Sequence, residues 1–159
     1  MRIEYFGYPM EIQYVIKDYN SLSTEELYAI LQLRQAVFIV EQDCPYLDAD
    51  GHDQPSHHVM GWREGQLHTY ARLVPKGFSY PENISIGRVI TSAATRGHGY
   101  GKALMKESIR AIKQLYPKED IKISAQVYAL PFYERLGFVE SGEAYLEDNI
   151  PHKAMYLKC

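Results

Sequence analysis

The rhythm of apolar and polar positions changes repeatedly along this chain, and each rhythm predicts an element. Met10 to Ile16 interleaves apolar with polar residues and carries β-branched side chains, which predicts a first strand ending at Lys17-Asp18-Tyr19-Asn20. Ser23-Thr24-Glu25-Glu26 then has the S-x-x-E form of a capping box, whose hydroxyl and carboxylate each satisfy a backbone N–H at a helix start. Leu27, Ile30, Leu31, Val37 and Phe38 recur at helical spacing behind it. Arg34 falls on the same stripe, where it is expected to be salt-bridged or at the edge of the core. Glu41 to Ser56, polar and broken by Pro45, Gly51 and Pro55, predicts an ordered loop.

Two strands follow, His57 to Arg63 and Gln66 to Val74, joined by a tight hairpin turn at Glu64-Gly65, with Pro75 to Pro81 closing that side. Ser85 to Thr91, with Ile86, Val89 and Ile90, predicts a buried strand that runs into Arg96-Gly97-His98-Gly99-Tyr100-Gly101. From Gly101 to Leu115 the residues Leu104, Ser108, Ala111, Ile112 and Leu115 share one helical face, and Pro117 stops the helix. A short strand at Asp120 to Ala125, a short helix at Pro131 to Leu136 ended by Gly137, and closing strands at Phe138 to Tyr145 and Lys153 to Lys158 complete the pattern. This order predicts a mixed α/β (α+β) fold with antiparallel hairpins, and not a doubly wound series.

Composition narrows the picture. The 159 residues fit one domain able to build its own core, and neither repeats nor a Gly/Ser linker mark a boundary within residues 1–159. No apolar run approaches bilayer length, and Met1 to Met10 lacks the basic start and apolar stretch of a secretory signal. Cys44 and Cys159 form no C-x-x-C pair and are expected as free thiols, which with the missing signal predicts a cytoplasmic protein without membrane contact. A formal net charge of -3 argues against general nucleic-acid binding, which needs surplus cations to displace counterions.

The candidate chemistry begins at the glycine loop. Gly97, Gly99 and Gly101 alternate at a strand-to-helix junction, where backbone N–H groups and the positive end of a helix dipole can cradle a pyrophosphate, with Arg96 and Lys102 beside it. Lys102 is followed by Ala103, so this is no Walker loop, and the glycine spacing is not that of a dinucleotide fingerprint.

Arg96 to Gly101 resembles the R/Q-x-x-G-x-G/A loop of the GNAT acyltransferase superfamily. Gln126 to Phe138 (QVYALPFYERLGF) resembles that family's second signature, with Gln126 where Asn is usual. Leu33 to Tyr46, with Asp48 to Asp53, further resembles the small bacterial branch called ElaA, while Met1 to Tyr8 is an additional leader. The resemblance implies a largely antiparallel twisted sheet flanked by helices. It implies acetyl-CoA as acyl donor, with the backbone of Val89, Ile90 and Thr91 on the pantetheine arm and Arg96, Gly97, His98, Gly99, Tyr100, Gly101 and Lys102 on the pyrophosphate. Gln126, Pro131 and Phe132 are implied alongside the cofactor, and Tyr133 as proton donor to the departing thiolate. Glu41, at the end of the first helix and within the ElaA-like block, is the residue expected to relieve an amine of its proton.

Other groups carry weaker signals. Asp48, Asp50, His52, Asp53, His57 and His58 are dense enough to raise a metal site, but Asp48-x-Asp50-Gly51 lacks a full calcium-loop pattern, so a polar turn is expected and no metal. His98 is expected to position the loop, Cys44 to be structural, and His152, Tyr128 and Tyr145 to be packing residues. The expected function is direct transfer of acetyl from acetyl-CoA to a primary amine, small or peptidic, in a ternary complex. A non-catalytic acyl-CoA sensor or docking module and a metal-dependent hydrolase are the competing classes. The acceptor and the oligomeric state stay open, a homodimer among the possibilities.

Overall fold

A computed structural model describes residues 11–159; the leader Met1 to Tyr8 and Met10 lie outside them. The first strand, β1 (Gln13–Asp18), is followed by a single 3₁₀ turn and then by α1 (Thr24–Arg34). The capping box forms as expected: Glu26 N–H donates to Ser23 Oγ (3.0 Å) and Ser23 N–H to the Glu26 carboxylate (3.1 Å). The helix does not stop at Arg34 but widens into π-helical turns over Gln35–Glu41, closed by the Cys44 N–H on the Ile39 carbonyl at 3.2 Å.

The hairpin strands β2 (His57–Arg63) and β3 (Gln66–Val74) and the strand β4 (Ser85–Thr91) occupy the expected spans. Glu64 and Gly65 both take positive φ (51° and 74°), the geometry of a two-residue type I′ turn. Next come α2 (Tyr100–Leu115), β5 (Ile121–Gln126), the short helix α3 (Leu130–Glu134), β6 (Val139–Glu147) and β7 (Ile150–Leu157). The last two strands are longer than their sequence pattern predicts. They meet at Asp148 and Asn149, both at positive φ, in a turn without the glycine that would have advertised it.

Strands β1-β2-β3-β4 pair antiparallel in that order, and β5-β7-β6 form a second antiparallel set. The two sets meet where β4 and β5 run parallel, joined by the Lys122 N–H on the Ile84 carbonyl at 2.8 Å. The middle strands are buried on both faces, which is why they read as apolar runs and not as alternation. One face, with Val59, Ala71 and Leu73, packs on α2 through Leu104, Met105 and Ile112. The other, with Met60, Tyr70 and Ile90, packs on α1 and its π extension through Ile30 and Val37. Met105, absent from the expected face of α2, is fully buried, whereas Leu115 at the last turn is exposed.

Behind the Ile30 cluster lies the largest departure from the sequence reading. The polar stretch Asp48–Asp53 is a surface turn only in part: Ala49, Asp50 and Gly51 are exposed, but Asp48 and Asp53 are buried with Arg34. Arg34, with no solvent exposure, donates through Nε to Asp48 (2.7 Å) and through Nη1 to Asp53 (2.6 Å). Arg72 on β3 reaches Asp53 (2.9 Å) and Asp50 (2.7 Å), and Arg88 on β4 reaches Asp48 (2.8 Å). The arginines account for the carboxylates that might have bound a metal, and among the described residues no cluster has the makings of a metal site.

Burial alone would raise the Asp53 carboxyl, but hydrogen bonds and charge from Arg34 and then Arg72 outweigh it and hold it below its usual range. At Asp50 the contest runs the same way, with Arg72 the dominant partner. A depressed folded-state value means stability that is complete above the unfolded carboxylate range, about pH 4, and is lost as pH falls through and below it. Asp53→Asn is therefore expected to cost about 3 kcal/mol at neutral pH and to flatten the acid limb of stability, because it strands buried guanidinium charge. Lys17→Ala, which breaks a more exposed ion pair with Glu26 at 2.8 Å, should cost under about 1 kcal/mol. Urea melts of both variants at neutral and acid pH measure the contrast; equal losses would deny the network its structural role.

Candidate active site

Beyond the Ile84–Ile121 junction, β4 and β5 part. The cause lies in β4: Arg72 of β3 pairs with Gly87 and Tyr70 with Ile90, so β4 spends one more residue than its partner over the same interval. Arg88 takes positive φ (53°) in this bulge, a conformation L-residues rarely adopt. Its guanidinium is tied to Asp48 and Asp50 and lies near the rings of Phe38 and Tyr46 (5.9 and 5.8 Å from the centroids). Those contacts offset the backbone strain. β4 thereby becomes an edge facing an opening, with backbone groups of Arg88 and Val89 outside the β3 ladder.

The opening is a cavity of about 430 Å³ lined on one side by Ile86 to Val89 and on the other by Ile123 to Gln126. Tyr133, Gln126 and Val89, three of the sequence candidates, line it together. Tyr128 and His152, given only packing roles by the sequence, line it too, as do Cys44, Glu147 and Asp148. Tyr133 is set by α3, with its ring edge-on to Phe132 and Phe138 (centroids 5.0 and 6.0 Å apart). Burial, and next the nearby Tyr128, pushes its phenol up to about 12.

The glycine loop lies on the path from β4 to α2. Ser92 fixes its start by donating its N–H to the His68 carbonyl (2.7 Å), while its hydroxyl bonds His68 Nδ1 and the Thr95 hydroxyl, both at 3.0 Å. Gly97 and Gly99 take φ of 83° and 78°. A Cβ at either would meet no protein atom within 4 Å, so conformation and not crowding selects glycine here. Gly99 caps α2 without a side-chain acceptor, and no acidic residue occupies the first turn. The N–H groups of Tyr100, Gly101 and Lys102 therefore project from the helix start together with the dipole's positive end. Gly101 is already helical and sits 3.8 Å, measured from a built Cβ, from the Phe132 ring. Thr91 pairs with Thr69 and Ile90 is buried, while His98, Lys102 and Pro131 are exposed.

Arg96 and Glu41, given separate roles by the sequence, are paired with each other. Both guanidinium nitrogens reach the carboxylate, Nη2 at 2.9 Å to Oε2 and Nη1 to Oε1, and Arg96 Nε donates to the Thr91 carbonyl at 3.2 Å. The hydrogen bond from Arg96 lowers the proton affinity of Glu41, and Glu41 is not among the residues lining the cavity. Both properties make it a weaker base than its sequence position implies.

Both the sequence and the fold of this chain are shared with known proteins. The acetyltransferase (GNAT) domain family matches residues 22–159. Protein ElaA of Escherichia coli K12 is 42% identical over 139 residues, 86% of this chain and 90% of that protein. The crystal structure of E. coli ElaA superposes with a TM-score of 0.86 at 39% identity, covering 91% of this chain and 98% of the other. An acyl-CoA N-acyltransferase from Pseudomonas aeruginosa superposes with a TM-score of 0.85 at 42% identity over the same shares. On sequence and architecture alike, this chain belongs to the GNAT acyltransferases, in the branch that contains ElaA.

Proposed function

We propose that this enzyme transfers an acetyl group from acetyl-CoA to a primary amine directly, with both substrates bound at once. The observation that carries the reading is the fork itself: donor-binding backbone at its head, an unpaired strand edge along one wall and Tyr133 within. Pyrophosphate fits the N–H groups of Tyr100, Gly101 and Lys102, which provide directed donors next to the cations Arg96 and Lys102. His98, with its neighbours Gly97 and Gly99, shapes that turn without acting as a base. The two amides of the pantetheine arm fit the free edge of β4 at Val89, Ile90 and Thr91, as an added strand would. Gln126 lies on the opposite wall, and Pro131 and Phe132 of α3 are the residues we assign alongside the cofactor. The P. aeruginosa relative is described as an acyl-CoA N-acyltransferase, which supports the donor class. We propose the cytoplasm as its place of work, and no metal in its chemistry.

In the transfer, the amine nitrogen attacks the thioester carbonyl, the C–N bond forms and the C–S bond breaks. Tyr133 supports the leaving sulfur. A thiol titrates near ~8.5 and the buried phenol at about 12, so complete proton transfer to the thiolate in the resting environment is uphill by about 5 kcal/mol. A hydrogen bond to charge developing on sulfur is the more economical role, and protonation completes as charge builds.

Three substitutions test this. Tyr133→Phe keeps the ring and its packing on Phe132 and Phe138, and should leave the acetyl-CoA dissociation constant close to parent while lowering kcat about 10²–10⁴-fold. Wild-type turnover would remove Tyr133 from the reaction. Gly101→Ala adds a Cβ with only ordinary contacts, 3.7 Å from Thr91 and 3.8 Å from Phe132, so melting should stay at or above parent by up to about 1 kcal/mol. Calorimetry should nevertheless show CoA binding weakened about tenfold, because the methyl stands where the phosphates approach; unchanged affinity would move the cofactor elsewhere. Glu41→Gln frees Arg96 for phosphate, so CoA should bind no more weakly and the pH–rate profile should match the parent's. A rate deficit that recovers as pH rises would instead restore Glu41 as base.

A further inference from the structure

An amine acceptor must shed a proton before it can attack, since a lysine-like ammonium, titrating near ~10.4, is almost wholly protonated at neutral pH. Glu41 is paired with Arg96 and does not line the cavity, so a base on the cavity wall is the better placed receiver of that proton. Among the described histidines, His58 is buried between the Tyr70 hydroxyl (2.7 Å) and the Asp53 carbonyl (2.9 Å) and does not line the cavity. His152 does line it.

We propose that His152 takes the amine's proton, positioned by the Ile150 carbonyl and by Glu147, and that the acceptor enters the fork as a primary ammonium ion drawn by Glu147 and Asp148. The assignment rests on the acyl-transfer reading above. Its geometry comes from the β6–β7 hairpin. His152 stands opposite Gln126 on β5 and Tyr145 on β6. Its Nδ1 lies 2.7 Å from the Ile150 carbonyl, which has no proton to give, so Nδ1 carries the hydrogen and Nε2 keeps the lone pair. The Tyr145 ring stacks on the imidazole (21° between planes), and main-chain pairing on both sides fixes the strand that carries it.

Glu147 Oε2 lies 3.2 Å from Nε2. Opposite a neutral Nε2 this is a meeting of two acceptors; opposite an imidazolium it is a charge-assisted hydrogen bond. Ser124 Oγ, 3.3 Å away, holds that carboxylate from β5. The tight Asp148-Asn149 turn places a second acid at the same mouth. Opposite them Arg88 faces the cavity but is tied to Asp48 and Asp50, so its charge is compensated and does not repel a cation. Tyr46, Cys44, Tyr128 and Tyr133 are the other titratable groups on the walls. A carboxylate with an ordinary value near ~4 is a poor match for an ammonium proton; an imidazole, ordinarily near ~6.5, is closer.

The protons balance. The ammonium, drawn by Glu147, takes the place that this exposed carboxylate holds opposite Nε2, gives one proton to Nε2 and becomes nucleophilic. After the C–N bond forms, its second departing proton replaces the one that Tyr133 supplies to the CoA sulfur. The imidazolium then releases the first to solvent, leaving amide, CoA thiol and one free proton.

The test is the pH dependence of kcat/KM for parent, His152→Gln and Glu147→Gln against a panel of primary amines, with CoA binding and melting measured in parallel. His152→Gln should lose the parent's acid limb and fall about 10²–10⁴-fold at neutral pH, recovering as pH rises because the amine then deprotonates unaided, while CoA binds as in the parent. Glu147→Gln, at an exposed position, leaves the imidazole but removes the carboxylate that draws the ammonium. Its KM for the amine should rise a few fold, about what one exposed charge contributes, with CoA binding unchanged. Turnover in the parent with the same acid limb in His152→Gln overturns the His152 assignment and leaves acyl transfer standing. A parent that binds CoA yet acylates no amine overturns the transfer reading and this assignment with it. Should His152→Gln melt early, His152→Asn, whose amide can still donate to the Ile150 carbonyl, is read in the same way.

Discussion

A guanidinium with no access to water needs an anionic cage, and Arg34 obtains one from Asp48 and Asp53, which lie beyond the end of its own helix. Removing a single partner from such a cage leaves charge without solvation, a penalty of several kcal/mol, so the segment carrying the aspartates is fixed against α1. Once Asp48 and Asp50 are fixed they present carboxylate to the third strand through Arg72 and to the fourth through Arg88. The left-handed conformation of Arg88 is the geometric result, and the departure of β4 from β5 follows from it. The cleft is thus set by an electrostatic lattice on the face of the sheet that packs on α1.

The same lattice sets the charge of the cleft. Of its arginines Arg88 borders the opening, and it is paired with Asp48 and Asp50, which leaves Glu147 and Asp148 as the carboxylates on the cavity wall. At the other end of the fork the signs invert: the α2 start offers amide N–H groups, with Arg96 and Lys102 nearby. On the reading proposed above, an anionic donor and a cationic acceptor would be sorted by field as well as by shape.

What could be read from the sequence was local. The capping box at Ser23 and Glu26, the Glu64-Gly65 hairpin and the passage from apolar strand through glycines into α2 each depend on residues a few positions apart, and they stand where the pattern put them. What escaped was long in range. Glu41 and Arg96 are 55 residues apart and Arg88 and Asp48 are 40 apart, and no periodicity couples such positions. Asp48 to Asp53 looked like a surface turn because polar residues usually are solvated, and only the burial of Arg34 reverses that presumption. His152 was visible as a histidine in a strand. Its meaning came from the register that sets it against Tyr145, and from a turn whose Asp148-Asn149 sequence carries only a weak signal.

The fork also makes the fold sensitive to its own occupancy. Strands β1 to β4 and strands β5 to β7 are each closed by antiparallel ladders, but the parallel seam between them is bonded at one end only, through Ile84 and Ile121. A molecule lying along the open part of the seam and contacting both edges acts as a removable length of strand. By mass action it adds to the free energy of unfolding in proportion to the logarithm of its concentration over its dissociation constant. The thermal resistance of the fold is therefore coupled to the supply of whatever fills the seam.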